Sequence, residues 1–143
     1  MNVPIRMVIA DDHALFRGGL KAIFAYERDF SVVGEAANTY ETVKVVAHVH
    51  PSILLLDLNM PNGDVLDVLR QVREKSPDTK VLVLTAYLKE EMLLKLASKE
   101  VEGYLLKGID VNSLLEAIKT VHEGGSWVDE EIGSAVARSK LQA

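Results

Sequence analysis

Five short apolar runs punctuate the chain: Ile5 to Ala10, Ser31 to Glu35, Ser52 to Leu56, Lys80 to Thr85, and Gly103 to Leu106. Each has the length of a strand and is rich in Val, Ile and Leu. Met7 to Ala10, Ile53 to Leu56 and Val81 to Leu84 are apolar at every position rather than at alternate ones. Strands covered on both faces of a parallel sheet have that pattern. The second and fifth runs are weaker and are expected nearer the sheet edges. Between the runs the apolar period becomes helical: Leu15, Leu20, Ile23 and Phe24; Val43, Val46 and Ala47; Leu66, Leu69 and Val72; Met92, Leu93 and Leu96; Leu114, Leu115, Ile118 and Val121. Each set forms one stripe on a helix.

Start and stop signals agree with this division. Asn38 is followed three residues on by Glu41, and Asp110 or Asn112 precedes the last stripe, as N-caps do. Pro77 follows the third stripe and Gly124-Gly125 the fifth. Strand and helix alternate five times, and parallel neighbours require right-handed crossovers, so the predicted architecture is an α/β, doubly wound (βα)₅ fold with helices on both faces of the sheet. The domain is expected to span residues 1–125. Residues 126–143, with Trp127, an acidic cluster at Asp129 to Glu131 and a weak stripe of Ile132, Val136 and Leu141, read as a linker or the start of another element, with Trp127 packing the tail against the domain.

At 143 residues the chain suits one core and a short appendage. The 48% hydrophobic and 26% charged composition is that of an ordinary globular protein. There is no cysteine, which removes disulfides, thiolate zinc sites and cysteine nucleophiles, and suits the cytosol. No apolar run reaches the roughly 18 residues of a membrane span, and Met1 to Arg6 lacks the layout of a signal peptide. A cytoplasmic protein with no membrane partner is expected. With 21 acidic against 16 basic side chains, a net charge of -5, these residues are not expected to bind DNA directly.

Sites in doubly wound sheets form where strands end and turn into helices. The first run ends at Asp11-Asp12, the third at Asp57, the fourth at Thr85, and the fifth is followed by Lys107. Singly, each has a plain explanation: Asp12 as an N-cap, Asp57 as a turn residue before Pro61 and Gly63, Thr85 as a β-former, Lys107 as a solvated charge. Together they fall on one sheet edge. Gathered carboxylates repel unless protons or a cation offset them, and Mg²⁺ suits an all-oxygen donor set. A carboxylate nucleophile, a hard cation, an ammonium and a hydroxyl are the parts needed to move a phosphoryl group onto an aspartate.

The stretches VIADDHALFRGGL (Val8 to Leu20), ILLLDLNMP (Ile53 to Pro61), VLVLTAY (Val81 to Tyr87) and GYLLKG (Gly103 to Gly108) resemble the receiver domain of two-component response regulators, most closely the NarL/FixJ-type group. The resemblance covers Pro4 to about Trp127. It implies a flavodoxin-like five-stranded sheet of order 2-1-3-4-5. It implies further that Asp57 is the phosphoacceptor, that Asp11, Asp12, Asp57 and the backbone carbonyl of Asn59 hold Mg²⁺, and that Thr85 and Lys107 bind the phosphoryl oxygens. The donor would be the phosphohistidine of a sensor histidine kinase. Thr85 would then move toward the phosphoryl group and Tyr104 rotate inward, switching an output, in this group usually transcription. Such a protein signals rather than turning over a metabolite, although it catalyses its own phosphorylation and dephosphorylation. A phosphorylation-dependent homodimer is expected by the same analogy, motivated by the stripe Leu114, Leu115, Ile118 and Val121 facing either core or partner. DNA would be reached only through a C-terminal helix-turn-helix domain, which these residues do not include and toward which residues 126–143 would lead.

The chain departs from the family pattern in two places. Asn62, Gly63, Asp64 and Val65 stand where the usual glycines are displaced, and Asn62 and Gly63 are expected to supply the left-handed backbone of that turn. Gly108 replaces a proline that commonly forms a cis bond, which leaves the isomer of Lys107-Gly108 open. His13 follows the acidic pair but reads as an unlikely ligand or donor, and His48, His50 and His122 form no ligand pattern. The Lys89, Glu90, Glu91 and Lys95 alternation reads as a solvated helix face. A phosphatase working through an aspartyl phosphate typically has a second Asp where this chain has Asn59, and usually a cap domain for which there is no room. A flavodoxin-like cofactor binder would need a loop rich in Ser, Thr and Gly after the first strand, and none is present.

Overall fold

The computed structural model describes residues 3–86 and 101–134. Its strands are β1 (Ile5–Ala10), β2 (Phe30–Ala36), β3 (Ile53–Asp57), β4 (Lys80–Thr85), β5 (Gly103–Leu106) and β6 (Trp127–Val128). Its helices are α1 (Ala14–Ala25), α2 (Thr39–Val49), α3 (Val65–Lys75) and α4 (Val111–His122). The stripe Met92, Leu93 and Leu96, and the charged alternation at Lys89 to Lys95, lie outside the described residues.

The strands form one sheet of order β2-β1-β3-β4-β5-β6, parallel throughout. The order 2-1-3-4-5 is the expected one, and the strand order reverses between β1 and β3. The sheet has six strands rather than five. Two residues of β6 lie beside β5, with Trp127 opposite Gly103 and Val128 opposite Tyr104. Two residues are too few to show a period, so this strand had no signature in the sequence. Trp127 packs partly against the core, as expected, and Ile132, within a helical turn over residues 130–134, is 1% exposed.

The continuously apolar strands are covered on both faces. Met7, Ile9, Ile53, Leu55, Leu82, Leu84 and Leu105 face Leu20, Phe24, Leu114, Ile118 and Val121 of α1 and α4. The alternate residues Val8, Ala10, Leu54, Leu56, Val81 and Val83 face Val43, Val46, Val68, Leu69 and Val72 of α2 and α3. Each large aliphatic side chain buried in this way contributes about 1.5–3 kcal/mol. The α4 stripe is thereby resolved: Leu114, Ile118 and Val121 belong to the core and Leu115 packs partly against it, so the stripe offers no partner face.

The helix starts follow side-chain chemistry. Asn38 Oδ1 accepts from the Glu41 N–H at 2.8 Å, Asp64 Oδ1 from Leu66 at 2.9 Å, and Asp110 Oδ2 from Ser113 at 3.0 Å. Helix α1 is the exception: its N-cap is His13, which makes no side-chain capping bond, so Asp12 does not cap it. Leu15 does not join the core stripe of α1 and is 94% exposed. It lies in the first turn, and the packed face runs instead through Phe16, Leu20, Ile23 and Phe24. Asn62 (φ 72°) and Gly63 (φ 143°) do take the left-handed backbone before α3, and the Lys107-Gly108 bond is trans.

Candidate functional site

Parallel strands that end together bring their last side chains to one edge. Asp11 directly follows β1, with its N–H donating to the Ala36 carbonyl at 2.9 Å. Asp57 is the last residue of β3 and Thr85 the last of β4, and Lys107 directly follows β5, its N–H donating to the Thr85 carbonyl at 2.9 Å. Asp11, Asp57 and Thr85 are only 1–2% exposed.

Lys107 Nζ lies 2.6 Å from Asp11 Oδ2 and 3.5 Å from Asp57 Oδ2. It also sits over the Phe16 ring, 4.7 Å from the centroid, so the ammonium is held from below by a π face. The two buried carboxylates are tied alike. Asp11 Oδ1 accepts the His13 N–H at 2.8 Å and Asp57 Oδ1 the Asn59 N–H at 3.1 Å. Their other oxygens, Asp11 Oδ2 and Asp57 Oδ2, are fully buried and meet no hydrogen-bond donor in good alignment among the described residues. The 2.6 Å approach of Lys107 is therefore an ion pair without a directed hydrogen bond. Buried acceptors left in that condition cost stability and point to a missing electropositive ligand.

Burial, above all, raises the Asp57 pKa. The Asn59 N–H opposes this, the Asp11 charge adds to it, Lys107 opposes it and Asp12 adds again. Asp12, with a side chain 33% exposed, completes the cluster. One donor atom from each of Asp11, Asp12, His13 and Asp57 lies within 4.8 Å of the others. Three carboxylates against one ammonium leave net negative charge, and their oxygen-rich set fits a hard divalent cation.

Two residues that sequence reasoning missed shape this edge. Arg17 Nη1 donates to the Asp11 carbonyl at 2.5 Å while its Nε donates to Glu35 Oε1 at 3.1 Å. Lys21 also binds Glu35, at 2.8 Å, and with Arg17 it outweighs burial to lower the Glu35 pKa. Arg17 therefore ties the β1–α1 turn to the end of β2. An Arg one turn into the helix after the acidic pair was the available signal. The Thr39 hydroxyl donates to the Asn62 carbonyl and fastens the turn after β3 to α2. Tyr104, in β5, is half-buried against the α2/α3 side of the sheet, and burial first, then the Glu102 charge, raises its pKa.

Comparison with known proteins gives the class. Residues 7–119 match the family model of the response regulator receiver domain, and the chain belongs to that family. It is 37% identical over 128 residues to the transcriptional regulatory protein DegU of Brevibacillus brevis, covering 90% of this chain and 54% of the relative. It is 37% identical over 133 residues to the oxygen regulatory protein NreC of Staphylococcus epidermidis, covering 92% and 61%. The chain thus spans little more than half the length of these relatives. Among solved structures, the signal receiver domain of the putative response regulator NarL from Mycobacterium tuberculosis is 28% identical, with a TM-score of 0.78 over 85% of this chain and 98% of that one. A LuxR-family response regulator from Aurantimonas shares the fold, with a TM-score of 0.86 over 97% of this chain and 99% of that one, at 24% identity.

Proposed function

We propose that this receiver accepts a phosphoryl group on Asp57 from the phosphohistidine of a sensor histidine kinase. The observation that carries the reading is the buried Asp57 carboxylate, with one oxygen tied to Asn59 and the other undonated beside Lys107. An Asp57 oxygen would attack phosphorus, forming a P–O bond as the P–N bond to the kinase imidazole breaks, and the imidazole would leave with a proton from solvent. The ionised Asp57 carboxylate is the nucleophile, and burial strips its hydration.

Asp11, Asp12, Asp57 and the Asn59 carbonyl would hold Mg²⁺. When bound, this cation supplies positive charge to the phosphoryl oxygens and to the undonated carboxylate oxygens. Lys107 would pass from the Asp11 carboxylate toward the incoming phosphoryl oxygens, and Thr85 would donate its hydroxyl to one of them. Drawing Thr85 inward opens space toward which Tyr104, half-buried one strand away, can turn. Residues 1–125 would carry this switch. Residues 126–143, of which Trp127 and Val128 form the edge strand β6, would pass it to an output, which the name of the transcriptional regulatory protein DegU suggests is transcription; the NarL/FixJ-type resemblance adds that the output would be a helix-turn-helix domain. Phosphorylation-dependent dimerisation and a cytoplasmic location accord with the family. No helix among the described residues is long and apolar enough to cross a membrane.

The test is intact mass after incubation with Mg²⁺ and acetyl phosphate. The wild type should gain one phosphoryl group only with Mg²⁺, and Asp57→Asn should gain none. A gain in both proteins would reject Asp57 as the acceptor.

A further inference from the structure

The carboxylate cluster includes a nitrogen donor that the phosphoryl-transfer scheme does not use. His13 Nδ1 lies 3.2 Å from Asp11 Oδ1 and 3.2 Å from Asp12 Oδ1. Two ligands in neighbouring positions on one cation, each about 2.1 Å from it, stand roughly 3 Å apart. The imidazole nitrogen therefore stands at ligand spacing from both carboxylates, and one donor atom from each of Asp11, Asp12, His13 and Asp57 lies within 4.8 Å of the others. The His13 backbone is fixed at both ends, its N–H donating to Asp11 Oδ1 at 2.8 Å and its carbonyl accepting from the Arg17 N–H at 3.1 Å. Its side chain is 68% exposed, so Nδ1 is held near the carboxylates on a residue open to solvent. Independently, Asp57 Oδ2 is buried with no hydrogen-bond donor, and its nearest cation, Lys107 Nζ at 3.5 Å, is shared with Asp11 at 2.6 Å, so one ammonium serves a cluster of three carboxylates.

We propose that His13 is a nitrogen ligand beside Asp11 and Asp12, so that the site also takes an imidazole-accepting transition cation of the Ni²⁺, Co²⁺ or Zn²⁺ class. The inference rests on reading the carboxylate cluster as a cation site. Imidazole strengthens binding of these metals, whereas Mg²⁺ prefers oxygen and its own waters and gains little from nitrogen. His13 thus sets which cation the receiver prefers. A transition cation held this way competes with Mg²⁺ for Asp11 and Asp12.

Calorimetric titration of the 143-residue chain with Ni²⁺, and separately with Mg²⁺, tests this in wild type, His13→Ala and His13→Asn. Both variants should lose about tenfold or more in Ni²⁺ affinity, while Mg²⁺ affinity changes by less than about twofold. Unchanged Ni²⁺ affinity in His13→Ala would overturn the proposal, since His48, His50 or His122 would then be holding the metal. Equal losses for Ni²⁺ and Mg²⁺ would overturn it too, because His13 would then only orient Asp11. Retained Ni²⁺ affinity in His13→Asn would do the same, since Asn keeps a hydrogen-bond donor but no imidazole. The Mg²⁺ titration of the wild type judges the proposed phosphoryl-transfer function separately: absent Mg²⁺ binding with intact His13-dependent Ni²⁺ binding would reject Mg²⁺ as the ion of that function and leave His13 a ligand of the same cation site.

Discussion

Asp57 shows at the scale of one residue what a buried, sparsely partnered carboxylate does to stability. Burial raises its folded pKa above the usual 3.8, so the folded chain holds this proton more tightly than the unfolded chain does. Its contribution to stability is therefore fully present below about pH 3.8 and is lost as pH rises through the folded value. At pH 7 without metal, the charge is buried and Oδ2 has no donor. Asp57→Asn should then be more stable than wild type, on the order of 1–3 kcal/mol. The difference should shrink toward zero near pH 3.5. Denaturant titrations in EDTA at both pH values check this, and a destabilised variant at pH 7 would show that the carboxylate is well satisfied. Glu35 has the opposite sign, stabilising above its lowered pKa, but it is common to both proteins and cancels. Asp11, Asp57, Thr85 and Lys107 were legible because a strand end fixes where a side chain goes. The Arg17–Glu35 pair was not, because its partners are 18 residues apart and only the β1–β2 pairing brings them together.

At the scale of elements, the same residue type takes opposite signs according to what surrounds it. A Cβ on Gly103, at the start of β5, would lie 2.8 Å from Leu82 Cγ and 3.1 Å from its Cδ2. Leu82 is fully buried on the neighbouring strand and has nowhere to go. Gly103→Ala should cost about 1–3 kcal/mol through overpacking. Gly19, inside α1, meets nothing within 4 Å, so Gly19→Ala should stabilise by about 0.5–1 kcal/mol through helix propensity. Urea midpoints of the two variants should move in opposite directions, and a shift of the same sign would mean that β4 and β5 pack more loosely than they stand here. The limits of strands β1 and β4 were readable because their continuous apolar runs end abruptly at polar residues. Helix limits were less so: the exposed Leu15 shows that an apolar residue in a first turn imitates a core stripe. Strand β6 was invisible because its pairing depends on β5 being already in place.

For the whole molecule, these scales meet in a linkage between cation binding and folding. The sheet gathers three carboxylates at one edge only when all its strands are aligned, so the unfolded chain has no comparable site. A cation that binds the folded form alone stabilises it by RT ln(1 + [L]/Kd), about 2.7 kcal/mol at one hundred times Kd. The Tm of the wild type should therefore rise continuously with Mg²⁺ concentration. Asp12 separates this effect from general salt screening, because it is partly exposed, does not cap α1, and contributes to the cluster mainly its charge. Asp12→Asn should raise the metal-free Tm slightly, because one repelling charge is gone, and remove most of the Mg²⁺-induced rise, as read by thermal melts at constant ionic strength. An equal rise in the variant would place the stabilising cation elsewhere on this acidic molecule. A loss in the variant would mean that the carboxylates which oppose one another in the free fold are the ones that bind metal, so that the cost expected at Asp57 and the stabilisation expected with Mg²⁺ have one origin.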